Sequence, residues 1–242
     1  MKPYRFRLLV FTLTGAIALS ANAADLSTPG YGGYKDGPYD LSWGGAFVGL
    51  HAGGIWGTQD VKDLDFFNTG ASYSLNPSGA IAGGQFGYNW QRGRFVLGIE
   101  LDIGYQGMSG TKLDPGSGGS TLSGLNSGFY GDIVGRLGYA TDRYLVYALG
   151  GYALTNGQAF VNDANLGPSF TGSFDSGWTV GAGAEYRLNP SFSLKAEYKH
   201  FDFGTQNVIL PGNFAYSNAL TADSVTFGVN FLFGKGDVSP LK

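Results

Sequence analysis

Cysteine is absent from the 242-residue chain, and histidine and methionine occur only twice each. Without thiols there is no disulfide, no cysteine nucleophile and no cysteine-ligated metal. Two histidines leave little for an imidazole metal site. Charge is scarce too: Asp, Glu, Lys and Arg make up 14% of the chain and the formal net charge is −3, so nucleic acid finds no basic face. After the first twenty residues no apolar run approaches the ~20 residues of a membrane-spanning helix. What abounds is glycine, 42 residues, with 15% aromatics. Glycine is far above its usual ~7%, yet shows no collagen period, and the aromatics are too many for a disordered linker.

Residues 1–23 read as a secretory leader. Lys2, Arg5 and Arg7 supply the positive start, Leu8 to Leu19 the apolar centre, and Ala21-Asn22-Ala23 the small-x-small cleavage pattern. Twelve apolar residues are too few to span a bilayer. Residues 24–42, rich in Gly, Pro, Tyr and Asp, read as a flexible periplasmic arm.

From Trp43 onward the hydrophobic period is two. In 95–105, Phe95, Leu97, Ile99, Leu101, Ile103 and Tyr105 alternate with Val96, Gly98, Glu100, Asp102 and Gly104, the mark of a strand with one apolar face. Eight such segments are expected: 46–56, 80–90, 95–105, 129–139, 144–154, 178–188, 192–200 and 225–233. The fifth is apolar on both faces, which leaves its orientation open. Connections alternate between short, around Arg92-Gly93, Thr141-Asp142 and Asn189-Pro190, and long, about twenty residues of polar sequence. Short turns on one rim and long loops on the other fit an eight-stranded antiparallel transmembrane β-barrel.

A soluble barrel with an apolar interior also has eight strands, so the facing matters. The nine charged residues within the segments, Glu100, Asp102, Asp132, Arg136, Glu185, Arg187, Lys195, Glu197 and Lys199, all oppose the large apolar row of their strand. They are expected to line the lumen and pair there. The apolar rows have the height of a membrane: at roughly 2.5 Å per tilted residue a ~25 Å band takes about ten residues. Aromatics gather at strand ends, as interfacial rings do. Trp90, Phe95, Tyr139, Tyr144, Tyr186, Phe192 and Phe233 fall on the short-turn rim, and Trp56, Tyr105, Phe129 and Trp178 on the other. Trp43 too lies at a strand end and is expected at an interface. Lumen-facing glycines such as Gly87 and Gly183 leave room for bulky ionic side chains.

Several stretches resemble a known family. WGGAFVGLHAG (43–53), GAIAGGQFGYNWQRGRFVLGIELDI (79–103), GRLGYATDRYLVYALGGYA (135–153), GWTVGAGAEYRLNPSFSLKAEYKHFDFG (177–204) and SVTFGVNFLFG (224–234) are similar, in order, to the small alphaproteobacterial outer-membrane barrels, immunogenic surface proteins often labelled "porin family". The resemblance spans 43–234 and implies a barrel in the cell outer membrane with both ends periplasmic. It also implies that the barrel-assembly machinery reads the aromatic closing the last strand, here Phe233. The chain departs from the pattern by continuing through a tail, 235–242.

Motifs for chemistry are missing: no G-x-S-x-G, H-E-x-x-H or P-loop occurs. His200, with Asp202 nearby, would be a base without an adjacent serine nucleophile. His51 falls on the lumen face as a hydrogen-bonded interior residue. No catalytic residue, cofactor or metal is assigned, and the chain is not expected to be an enzyme. In the long loops, Asp60, Asp63, Asp65, Phe66 and Phe67, with Tyr73, Phe170, Phe174, Phe214 and Tyr216, read as solvated segments with a few self-packing aromatics. The expected role is structural, in envelope integrity and surface contact, with outer-membrane lipid and lipopolysaccharide as partners. A narrow ion or solute pore, a surface binder of haem or a host ligand, and a lipid A-modifying enzyme are the alternatives.

Overall fold

The computed structural model describes residues 42–68, 70–165, 170–210 and 214–233. The expected leader, all but the last residue of the arm, and the tail lie outside the described residues, as does the side chain of Phe170. Eleven strands follow one another: β1 (Gly45–Asp63), β2 (Ser72–Leu75), β3 (Ser78–Arg92), β4 (Phe95–Gln106), β5 (Ser109–Leu113), β6 (Thr121–Asn126), β7 (Phe129–Ala140), β8 (Tyr144–Asp163), β9 (Phe170–Asn189), β10 (Phe192–Leu210) and β11 (Phe214–Leu232). Eight of them, β1, β3, β4, β7, β8, β9, β10 and β11, pair antiparallel around a ring. The ring closes where β1 meets β11, from Phe47↔Leu232 to Asp63↔Tyr216. All eight expected segments are strands.

Local chemistry accounts for the tight turns. Gly93 takes φ 60° between β3 and β4, a left-handed value that glycine adopts without cost. The Asn189 carboxamide oxygen accepts from the backbone N–H of Ser191 and Phe192, both at 2.9 Å, before β10.

At the opposite rim the structure differs from the sequence reading. The long connections are there, but most of their length is strand. β1, β8, β9, β10 and β11 run well beyond the expected segments, and β2, β5 and β6 continue β3, β4 and β7 past short breaks at 76–77, 107–108 and 127–128. The barrel therefore extends as a second storey. Two physical features hide it from a period-two reading. Its outward residues are polar, among them Thr58, Asp60, Gln158 and Ser217, because they meet water. And β10 carries a bulge between Asp202 and Thr205, with Gly204 at φ 69°, so inward parity switches from Phe201 and Phe203 to Val208 and Leu210.

The interior of this storey joins an apolar cluster to buried polar pairs such as Gln59 with Asn218 and Gln106 with Thr155. Ile55, Val61, Leu75, Met108, Leu125, Phe174, Phe201, Phe203, Val208, Leu210 and Leu220 form one buried cluster with Tyr73, Tyr130 and Tyr216. Tyr73, Phe174 and Tyr216 are thus interior residues rather than solvated loop aromatics, and Phe67 and Phe214 pack against the cluster, their rings 5.2 Å apart. Asp63 is buried too and accepts the backbone N–H groups of Phe67, Asn68 and Gly70. Near the tip the Tyr216 hydroxyl donates to Asp114 at 2.9 Å and the Tyr73 hydroxyl to Ser123 at 2.7 Å. Burial pushes the Tyr73 phenol up to about 12, and burial with the Asp114 carboxylate raises that of Tyr216, so both act as neutral donors.

Below this storey the outward face is an uninterrupted apolar band. Leu50, Phe86, Leu97, Ile99, Ile103, Leu137, Val146, Val180, Leu194, Phe227 and Val229 all stand exposed on it. β8, whose facing the sequence leaves open, turns Leu145, Tyr147 and Leu149 inward and Tyr144, Val146 and Tyr152 outward.

A filled lumen as the candidate functional site

All nine charged residues expected inside are inside, each at most 4% exposed. Strand parity places them there: Glu100 and Asp102 share the inner face of β4, Asp132 and Arg136 that of β7, Glu185 and Arg187 that of β9, and Lys195, Glu197 and Lys199 that of β10.

Eight of the nine form one connected network. Arg136 donates to Glu100 and, at 2.7 Å, to Glu185. Lys195 reaches Glu100 at 2.8 Å and Glu197 at 3.1 Å. Lys199 reaches Asp132 at 2.9 Å, Asp102 at 3.1 Å and Glu197 at 3.5 Å. Neutral donors saturate the remaining carboxylate oxygens: the Tyr147 hydroxyl donates to Glu197 at 2.7 Å, the Ser193 hydroxyl to Glu185 at 2.9 Å, and the Asn230 amide to Glu185 at 3.0 Å. Such saturation is what a buried ionic layer needs, since the desolvation of each ion costs several kcal/mol. The oxygens of Glu100, Asp102 and Glu197 lie within 4.8 Å of one another, close enough to hold a cation. The Lys195 and Lys199 ammonium groups already serve those carboxylates.

His51 joins the layer from β1. A carboxylate only accepts, so the Asn230 amide turns its nitrogen to Glu185, and the Asn230 oxygen receives the Gln85 nitrogen at 2.8 Å. The Gln85 oxygen is then left to accept from His51 Nδ1 at 2.7 Å. One chain of donors thereby sets which imidazole nitrogen bears hydrogen on that side. His51 Nε2 meets the Tyr130 hydroxyl, which in turn lies 3.2 Å from Asp102.

Arg187 stands apart. Its guanidinium lies over the ring of Trp43, 4.5 Å from the centroid, and its Nε and one Nη have no acceptor among the described residues. Trp43 is fully buried, so it is not an interfacial tryptophan as its place before β1 suggests. Its indole N–H donates to the Thr141 carbonyl at 3.0 Å, and it packs with Val96, Val134, Ala140, Leu145, Tyr147 and Leu149 across the short-turn end of the lumen. A sequence ending in Trp-Gly-Gly before a strand carries no sign of whether the ring turns in or out.

Glycine supplies the space. A Cβ at Gly183 would run into the Tyr147 ring, and one at Gly87 into the ring of Phe47. Both rings pack against Arg136, whose guanidinium carbon lies 4.1 Å from the Tyr147 centroid and 4.9 Å from that of Phe47.

Outside, the aromatics form two girdles. Toward the short turns Trp90, Phe95, Tyr139, Phe192 and Phe233 are exposed and Tyr186 is half-buried. Neighbouring rings touch there, Phe95 with Tyr139 at 5.9 Å, Tyr144 with Tyr186 at 5.0 Å, and Phe192 with Phe231 at 5.2 Å. Trp56, Tyr105, Phe129 and Trp178 stand exposed where the outer face changes from apolar to polar. His200 is half-buried on the outer face at this level. Its Nδ1 meets Asp223 at 2.8 Å, whereas Asp202 accepts from the Gly204 N–H. Asp202 is near His200 in sequence, but the partner of His200 comes from β11, opposite it in register.

Comparison with known proteins agrees with this architecture. Residues 10–233 match the family described as outer membrane protein beta-barrel domain. The 31 kDa outer-membrane immunogenic protein of Brucella melitensis is 30% identical over 238 residues, covering 93% of this chain and 98% of that protein. The 22 kDa outer membrane protein of Rhizobium leguminosarum bv. viciae is 31% identical over 191 residues, 78% of this chain and 79% of that one. Among solved structures, the outer membrane protease OmpT of Escherichia coli superposes with a TM-score of 0.52 at 10% identity, covering 78% of this chain and 96% of that one, a likeness of fold alone. With an apolar band between two aromatic girdles and ions turned inward, the chain belongs to the outer membrane protein β-barrel family, akin to the alphaproteobacterial immunogenic proteins, and is a protein of the cell outer membrane.

Proposed function

We propose that this barrel serves the envelope as a filled, non-conducting surface protein, anchored in outer-membrane lipid and lipopolysaccharide. The observation that carries the reading is the triple closure of the lumen. Trp43 lies across the short-turn end, the Arg136–Lys195–Lys199 network crosses the middle, and the Phe201–Phe203–Met108 cluster fills the outer storey. An ion path requires open space, and each of these three layers fills the lumen with buried side chains. An eight-stranded barrel is in any case just wide enough for side chains to fill.

The outer storey supports the surface part of the reading. From Trp56 to Asp63 is seven residues, which at roughly 2.5 Å of height each lifts a polar wall roughly 17 Å above the outer girdle. Catalysis receives no support at His200, since no serine or threonine hydroxyl hydrogen-bonds to its ring among the described residues.

Single-channel recording of the purified barrel in a planar bilayer tests the proposal. The expected trace is flat; reproducible conductance steps at moderate voltage would replace this reading with that of a pore.

A further inference from the structure

Asp223 is an ionisable side chain on the outside of the barrel at the level of the outer girdle, ringed by Trp56, Trp178, Tyr198 and His200, with Asp202 and Thr221 outward one step nearer the tip. Register puts it directly opposite Trp56 of β1 on one side and His200 of β10 on the other. One carboxylate oxygen accepts from His200 Nδ1 at 2.8 Å and from the Tyr198 hydroxyl at 2.6 Å. The second oxygen and His200 Nε2 take no partner among the described residues, and His200 and Asp223 side chains remain 32% and 29% exposed. Because a carboxylate only accepts, Nδ1 carries the hydrogen and Nε2 is turned outward. Trp178 stands beside the imidazole, ring centroids 5.7 Å apart, and is itself 48% exposed.

A carboxylate in this position is costly against hydrocarbon and is retained where a polar group meets it. The chemistry around it suits a sugar. A flat indole offers its face to the C–H side of a pyranose, while a carboxylate oxygen and an imidazole nitrogen take up its hydroxyl or amide groups. No lysine or arginine faces outward at this height on β1, β9, β10 or β11, so a phosphate has no cation to meet. Height selects the source of the sugar: the patch sits at the level of the lipid headgroups.

We propose that Trp56, Trp178, Tyr198, His200 and Asp223 form a binding site for the glucosamine disaccharide that anchors outer-leaflet lipopolysaccharide. The site rests on the envelope reading above and narrows it to one patch and one part of the lipid. Asp223 accepts from a sugar hydroxyl or amide, His200 Nε2 takes a second, and Trp178 bears the ring. His200 and Tyr198 also hold the carboxylate in place.

The test uses the full chain folded in detergent micelles, with three probes: the acylated glucosamine disaccharide, its dephosphorylated form, and phosphatidylglycerol. Binding is read by native mass spectrometry, and stability by the temperature at which the folded electrophoretic form is lost. Both disaccharide forms are expected to bind the native barrel alike, and Asp223→Asn to weaken that binding about tenfold, the worth of one hydrogen bond to a charged group; Trp178→Leu, which removes the stacking face, is expected to weaken it in the same direction. Tyr198→Phe, which removes a single hydroxyl, serves where a larger change prevents folding, and is expected to weaken binding in the same direction. Native-like affinity in the folded variants overturns the site, as does competition by phosphatidylglycerol at equal concentration. Loss of binding on dephosphorylation overturns the assignment to sugar. If the disaccharide raises the thermal midpoint of native and variant barrels equally, or raises neither, this site falls, while the envelope reading stands or falls on the conductance recording.

Discussion

The guanidinium of Arg187 rests 4.5 Å from the ring centre of Trp43, and no carboxylate among the described residues forms an ion pair with it. A cation held by a π face at the end of the lumen differs from the eight ions above it, which hold one another. Replacing Arg187 by Met keeps the bulk and removes a buried charge, so the expected change in stability is near zero or favourable. Trp43→Ala empties the space under Leu145 and Val96 and is expected to cost about 3–5 kcal/mol. Urea titration of the folded barrel in micelles separates the two; a larger loss for Arg187→Met than for Trp43→Ala would contradict this account.

Arg136 is the opposite case. It bridges Glu100 and Glu185 and is almost fully buried. Arg136→Met leaves Glu185 buried without a cation, while Glu100 keeps Lys195, and is expected to cost about 3–5 kcal/mol. Adding Glu185→Gln should recover part of that loss. A double-mutant cycle measures the coupling, and strict additivity would mean that the two residues do not act as a pair.

Facing can be tested with one methyl group. A Cβ at Gly183 collides with Tyr147 inside the lumen, so Gly183→Ala is expected to destabilise by about 1–3 kcal/mol. Ala182 is its neighbour on the outer face, and Ala182→Val is expected to change stability by less than about 0.5 kcal/mol. Denaturant midpoints of the two variants check the order.

Because the chain has no cysteine, single cysteines can map the height of the membrane without background. Thr58 and Ala52 both face outward on β1, on either side of Trp56. A membrane-impermeant maleimide applied to intact cells is expected to label Thr58→Cys and to spare Ala52→Cys. Equal labelling of both would remove the girdle at Trp56 as the outer boundary.

The membrane storey was legible in the sequence because a bilayer enforces a sharp rule. Each residue on these strands meets either lipid or a lumen narrow enough to be filled, and the alternation of Leu97, Ile99 and Ile103 with Glu100 and Asp102 records that rule directly. The outer storey was not legible, for the rule relaxes where both water and core tolerate small and polar side chains. Strands such as β5, Ser-Gly-Thr-Lys-Leu, carry almost no period at all.

By itself the sequence determined the number of membrane-spanning strands, their short turns, the inward facing of nine charges and the family. The first three follow from local periodicity or from turn chemistry, which neighbours in the chain can encode, and the family from the resemblance of its sequence blocks. Only the tertiary structure decided who meets whom. That Trp43 turns inward, that Arg187 stays outside the ionic network, that His200 takes Asp223 rather than Asp202, and that the polar connections rise as barrel wall all depend on register between strands far apart in sequence. Those pairings are set when the ring closes between β1 and β11, a long-range contact that no local pattern contains.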